Sequence, residues 1–248
     1  MPSTYRLFLK FSGITSAFLL ISSSSFSQGG KWDNYMLRIA LKNRTAKLSA
    51  FFRFVSKYNN PVCLAGPTTL FVTGLANNNT LLKKKALFNA ESIAVTELIT
   101  FGLKKTIGRI RPSNFDTAFK SVVNAPNKAF PSGHTAEAFA MATAMSIAVP
   151  KWYVVVPAYA WASLVAYARV YLGVHYPTDV IGGAILGGGT TFLMYRLNKW
   201  LVQDSNKGHH PRNEIIGTVA SLGGALLLYK INEWIIKKKK KEIAKPVQ

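Results

Sequence analysis

A single cysteine, Cys63, stands among 248 residues, which excludes an intramolecular disulfide and any metal cluster built on cysteine. Its neighbours Pro61, Val62, Leu64 and Ala65 are apolar, the setting of an ordinary buried thiol. Acidic residues are scarce too: 10 Asp and Glu face 31 Lys and Arg, a net charge of +21, although charged residues make up only 17% of the chain. Such a surface favours anionic partners. No polar arm with interleaved aromatics carries those cations; they fall between apolar stretches, which sets nucleic acid aside and leaves anionic lipid head groups and phosphorylated substrates. Internal repeats and low-complexity tracts are missing, and Gly187-Gly188-Gly189 lacks the Lys-Ser/Thr of a phosphate-binding P-loop.

What is present is apolar, at 49% hydrophobic residues, enough for one domain with a substantial core. Residues 1–27 open with Arg6 and Lys10, then an apolar run from Phe11 to Ile21 and serines from Ser22 to Ser27. That is the layout of a secretory signal peptide, or of an uncleaved first membrane helix, and it implies export. A polar, basic stretch from Gly29 to Lys57 precedes apolar segments at Pro61–Ala76, Ala86–Leu103, Thr135–Val149, Trp152–Leu172, Thr178–Tyr195 and Ile215–Ile236. The expected fold is all-α: one helical bundle of about six core helices over residues 28–236, followed by a basic tail at 237–248 whose Lys237–Lys241 run suits anionic head groups or bulk solvent.

Most segments hold roughly 15 to 20 residues, at the edge of what crosses ~30 Å of hydrocarbon, and the mean hydropathy is only +0.14. A soluble bundle therefore stays open. Three patterns favour the membrane. Gly183 and Gly187 form a small-xxx-small pair; Trp152, Tyr153, Trp161, Trp200 and Trp234 lie near or within segments, as interfacial aromatics do; and Lys83-Lys84-Lys85, Lys151, and Arg196 with Lys199 alternate with the segments as cytoplasmic markers would.

Two of the four histidines sit where helices should begin. In Phe130-Pro131-Ser132-Gly133-His134, Ser132 is a good N-cap, and the N–H groups that follow suit an anion. In His175-Tyr176-Pro177-Thr178-Asp179, Pro177 suits the first helical position, and Asp179 can reach back to His175 and hold the tautomer that leaves its other nitrogen free. Arg169 lies just upstream, near the end of the preceding helix. Lys104 and Arg111 are seven apart, so a helix running to Pro112 would put both on one face. Two stacked cations ask for an anion between them, and phosphate fits.

Lys104 with Arg111-Pro112, Pro131-Ser132-Gly133-His134, and Arg169 with His175 and Asp179 resemble, in order and spacing, the three signature motifs of the type 2 phosphatidic acid phosphatase superfamily. That resemblance implies a helical bundle with the motifs gathered at one end, no metal or other cofactor, and a covalent phosphohistidine. Residue by residue it implies that Lys104, Arg111, Ser132, the Gly133 backbone and Arg169 hold the phosphate. It makes His175 the nucleophile, Asp179 its orienting group, and His134 the acid that protonates the leaving oxygen. One departure is plain: Ala168 precedes Arg169 where the family usually has serine, which implies weaker phosphate contact or altered substrate preference.

Other polar residues read more blandly. His209-His210 are loop residues, Lys105 and Arg109 a solvated basic face, and Ser113–Phe130 a long connection that is either a lid or a surface excursion. Glu91 and Glu97 should face the bundle interior and pair with a lysine or arginine. The resulting expectation is a multi-pass membrane phosphatase, its site on the periplasmic or outer face, acting on a phosphorylated lipid. A soluble periplasmic acid phosphatase, a vanadium haloperoxidase and a non-catalytic lipid-binding relative are the alternatives.

Overall fold

The structure is a computed structural model describing residues 29–42, 44–125 and 128–205. The signal or first helix at 1–27, His209-His210, the Ile215–Ile236 segment with Trp234, and the lysine run at 237–241 lie outside the described residues, as does the Trp200 side chain. Among the described residues the fold is all-α, with eight helices: α1 Lys31–Lys42, α2 Ala46–Lys57, α3 Asn59–Ala76, α4 Thr80–Ile107, α5 Pro112–Phe115, α6 Gly133–Ala148, α7 Trp152–Tyr171 and α8 Pro177–Ser205.

The basic stretch ahead of the apolar segments folds as two helices. Their buried residues recur at helical spacing: Asp33 and Leu37 on α1, Ser49, Phe52, Val55 and Ser56 on α2. The remaining faces mix cations with exposed Trp32, Tyr35, Met36, Ile39, Phe51 and Phe54. Thr45 caps α2, its side chain accepting from the Leu48 amide at 3.2 Å, and Asn79 caps α4 in the same way through Leu82.

α6 is the central helix, packed against α3, α4, α7 and α8. Its alanines 136, 138, 140, 142 and 144 are fully buried, and small side chains let α8 approach closely. A methyl group at Gly187 would stand 2.0 Å from the Ala136 carbonyl oxygen, and one at Gly183 2.6 Å from that of Ser132. The small-xxx-small pair is therefore the α6–α8 contact. A further cluster joins Phe52 and Val55 of α2 to Cys63, Ile93, Met141, Val165 and Ala168.

Among the described residues three helices are long and apolar enough to cross a membrane: Thr80–Ile107, Trp152–Tyr171 and Pro177–Lys199. Large apolar side chains are exposed along them, among them Leu87, Phe101, Val156, Ile181, Ile185 and Phe192. In water that would be a costly surface; against lipid it is the expected one. Helix direction then sorts the sequence features. α4 begins and α6 ends at one end of the bundle, where Lys85 Nζ donates to the Ala148 carbonyl at 2.7 Å. At the other end α4 finishes and α6 and α8 begin, with the Ser132 amide donating to the Asp179 carbonyl at 2.9 Å. The lysines 83–85 and Lys151 are thus at the end opposite to both motif histidines.

Candidate active site

The helix expected to carry both Lys104 and Arg111 stops short. Gly108 adopts φ +68° and its amide closes on the Lys104 carbonyl, a left-handed C-terminal cap that glycine takes without penalty. Arg111 therefore lies in extended backbone before α5, not two turns along a helix face. The chain returns it to the same place by another route: its Nη1 donates to the Val174 carbonyl at 2.6 Å and approaches His175 Nε2 at 3.2 Å.

A cavity of about 300 Å³ gathers Lys104, Arg111, Gly133, His134, Arg169 and His175, together with Asn60, Glu97 and Glu137. The phosphate-holding backbone and cations expected from sequence thus converge with both histidines. Ser132 does not line this cavity; it is fully buried and its hydroxyl is 2.9 Å from that of Thr135.

His175 sits at the seam between this cavity and a closed polar layer. Its Nδ1 is 3.4 Å from Asp179 Oδ2, which also accepts from the Tyr176 amide at 2.8 Å. An arginine only donates, so the Arg111 contact assigns the lone pair to Nε2 and the proton to Nδ1, beside the carboxylate. Burial, then Arg111, Arg169, Lys104 and His134 in turn, hold the His175 imidazolium well below its usual range. The neutral ring, with Nε2 turned to the cavity side, has the lone pair that a nucleophile needs. His134 opens α6, and burial together with Arg169, Lys104 and Arg111 pushes its imidazolium down in the same way. An anion placed among those cations would reverse the effect and let His134 take a proton.

Arg109 corrects the sequence reading. Far from lying on a solvated face, it is 1% exposed, donating to Asp179 Oδ1 at 2.6 Å and to Asp33 Oδ2 at 2.7 Å. Lys105 does stay outside, over the Phe101 ring. Glu97 opens into the cavity rather than the packed interior. Sequence reasoning missed Glu137, one turn after His134, which accepts from Asn59 Nδ2 at 2.7 Å. A lone carboxylate in the alanine-rich run of α6 was the available signal. It missed Ser56 as well, whose hydroxyl accepts from Arg169 Nη1.

The long connection after α5 is tied across this end of the bundle. Ala129 donates to the Arg109 carbonyl, and Val122 to that of Leu172; Arg44, between α1 and α2, bonds the carbonyls of Tyr171 and Lys120. Phe119 is buried with Leu37 and Tyr176. It is a packed cover over the closed polar layer.

Residues 85–203, which include every motif position above, match the profile of the PAP2 superfamily. Over that span the chain belongs to the PAP2 superfamily. A lipid A 4'-phosphatase of Bacteroides thetaiotaomicron is 35% identical over 125 residues, 45% of this chain and 55% of that protein. An undecaprenyl-diphosphatase of Sulfolobus acidocaldarius is 29% identical over 164 residues, 62% of this chain and 73% of the other. The chain thus spans about half the length of the first relative and more of the second. Crystalline Aquifex aeolicus LpxE shares the fold, with a TM-score of 0.57 at 24% identity, covering 67% of this chain and 96% of that one. Together with the three apolar helices, this PAP2 fold makes the chain a membrane protein. Helices α1 and α2, and with them Asp33 and Ser56, lie before the PAP2 span.

Proposed function

We propose that this PAP2 chain is a membrane-bound phosphatase that hydrolyses a phosphomonoester or diphosphate of a lipid through a phosphohistidine, without a metal ion. The single observation that carries the reading is His175, braced by Asp179 on one side and facing Lys104, Arg111, Arg169 and His134 across one cavity on the other. The lipid A 4'-phosphatase and undecaprenyl-diphosphatase among the relatives support a phosphorylated membrane lipid as the substrate class.

In this mechanism the three cations and the first amides of α6, beginning at Gly133, take the phosphate oxygens. Phosphoryl transfer asks chiefly for positioning and charge neutralisation, which such a cradle supplies. His175 Nε2 forms a bond to phosphorus as the ester P–O bond breaks, and the Nδ1–H, now on an imidazolium, strengthens its bond to Asp179. His134 gives its proton to the departing lipid oxygen. Water then attacks phosphorus, His134 accepts its proton, and the P–N bond breaks to return inorganic phosphate and neutral His175. We place the site on the outer face of the membrane. Lysines 83–85 and Lys151 at the opposite end of the bundle support that orientation by the positive-inside rule.

The test is phosphate release by the detergent-purified protein in EDTA, from phosphatidic acid, an isoprenoid diphosphate and an aryl phosphate, beside His175→Ala. Release that survives EDTA and vanishes in the variant is the expected result. Equal release by His175→Ala would sink the phosphohistidine. Extraction without detergent would return the soluble alternative, and halide oxidation dependent on vanadate would return the haloperoxidase one.

A further inference from the structure

We propose that helix α1 belongs to the catalytic apparatus: Asp33, reaching in from it, and Arg109 are positioning residues that hold Asp179 against His175 and leave it an effective negative charge. The proposal rests on His175 as nucleophile. Its starting point is a fully enclosed group of three charges, with Asp33 and Arg109 almost wholly buried and Asp179 entirely so.

The guanidinium is divided between two carboxylates. Nη1 serves Asp179 at 2.6 Å and the Thr178 hydroxyl at 2.7 Å, while Nη2 serves Asp33 at 2.7 Å. The Thr178 hydroxyl accepts from Arg109, so its own proton goes to Asp33 Oδ2, at 2.6 Å. The other Asp33 oxygen accepts the Thr178 amide at 3.0 Å. That amide belongs to the first turn of α8, where an anion is favoured. Tyr176 lies beneath the guanidinium, its ring centroid 4.4 Å from the Arg109 carbon, and Leu37 and Phe119 pack beside that ring.

Charge gives this arrangement its purpose. With Arg109 alone, Asp179 would be neutralised by its own partner and would offer His175 little. With Asp33 sharing the guanidinium, the layer keeps one net negative charge, and that charge sits behind an imidazole which meets Lys104 from α4, Arg111 from the segment before α5, His134 from α6 and Arg169 from α7. When Nε2 bonds to phosphorus, the positive charge developing on the ring has a counter-charge already fixed in place. Asp33 comes from α1, ahead of the matched residues 85–203.

The experiment measures kcat and KM for an aryl phosphate across pH 4 to 8, on full-length detergent-purified protein, for wild type, Asp33→Asn, Asp33→Glu and His175→Ala. Asp33→Asn keeps the shape and removes the charge. The expected result is a kcat lower by about tenfold, a KM within about twofold, and an acid limb displaced to lower pH by up to about one unit; Asp33→Glu recovers part of kcat. The acid limb moves down because losing a nearby negative charge makes the imidazole harder to protonate. Wild-type kcat in Asp33→Asn overturns the proposal, and so does a loss of kcat and thermal stability with an unmoved acid limb, which marks a merely structural tie. Activity in His175→Ala instead overturns the phosphohistidine beneath it. If Asp33→Asn does not fold, Thr178→Ala carries the test: about threefold lower kcat at unchanged KM is expected for a lost hydroxyl bridge, and wild-type kcat refutes the proposal.

Discussion

Two charged groups meet at His175 and are built on opposite rules. Behind the ring, Asp33, Arg109 and Asp179 are sealed from solvent, with the guanidinium 2.7 Å from Asp33 and 2.6 Å from Asp179. In front of it, Lys104, Arg111 and Arg169 share a cavity with two imidazoles and the carboxyl groups of Glu97 and Glu137; burial lowers Arg111 to about 10 against the opposing pull of Asp179, and it is still fully charged at neutral pH. The rear group is complementary to itself. The front group gathers cations around a space, and on the phosphatase reading proposed above an anion with several oxygens fills that space and relieves their repulsion. The rear group is closed on its own partners, and the front group is open to a partner from outside.

The largest effects should separate the two histidines that stand in the front group. His175→Ala is expected to lower kcat by at least about a thousandfold for every substrate, since it removes the proposed nucleophile, the imidazole of this cavity that Asp179 backs. His134→Ala should cost roughly a hundredfold or more with a lipid alcohol as leaving group, and far less with a nitrophenolate, which departs without a proton. Phosphate release from the two substrate types checks this; equal losses on both would remove His134 from its role as acid.

Stability provides the next contrast. Arg109→Met should destabilise the protein by about 3–5 kcal/mol, because it leaves Asp33 and Asp179 buried without their shared cation. Lys104→Met should leave stability within about 0.5 kcal/mol of wild type or raise it, while raising KM roughly tenfold. Thermal unfolding in detergent reads both, and a Lys104→Met variant as unstable as Arg109→Met would erase the distinction between the groups.

The pH dependence follows from the same geometry. The folded protein holds His175 neutral well below its ordinary pKa of 6.5, whereas in the unfolded chain it protonates near that value. The unfolded state therefore binds more protons as pH falls below 6.5, and stability drops in that direction from a level fully present above it. On the phosphohistidine reading the sign is favourable, since His175 stays unprotonated and the acid limb of kcat/KM should lie below pH 6.5. A limb above that value would mean that the cations do not act on the ring as their positions require.

How much of this was legible depended on whether a residue's role is local. His134 and Asp179 announce themselves by position relative to a helix start, and the Gly183 and Gly187 pair by its four-residue spacing. Arg109 had no such mark. Its burial is decided by Asp33, 76 positions away along the chain, and a lone arginine near motif cations reads as surface until that partner is known. Arg111 was placed at the site for the wrong reason, a continuous helix that Gly108 in fact ends. α1 and α2 were hidden by their polar residues, since Lys31, Asp33, Asn34, Arg38 and Lys42 on α1, and Lys47, Ser49, Arg53, Ser56 and Lys57 on α2, are interleaved with the apolar ones and average to a polar stretch.

The smallest expected effects concern the missing serine before Arg169. Ala168 is wholly buried in the apolar cluster with Val165, Cys63 and Phe52, and it does not line the cavity. A hydroxyl on Arg169 is nevertheless present, supplied by Ser56 from α2. Ala168→Ser should therefore bring no gain in kcat/KM and a loss of about 1 kcal/mol from burying a hydroxyl among apolar side chains. Ser56→Ala should lower kcat/KM by about threefold, chiefly through KM, because the guanidinium loses a contact that fixes its orientation towards phosphate. The pair of variants decides which helix serves this arginine. A rise in activity for Ala168→Ser with no change for Ser56→Ala would show that the hydroxyl is wanted from α7 and that α2 merely packs nearby.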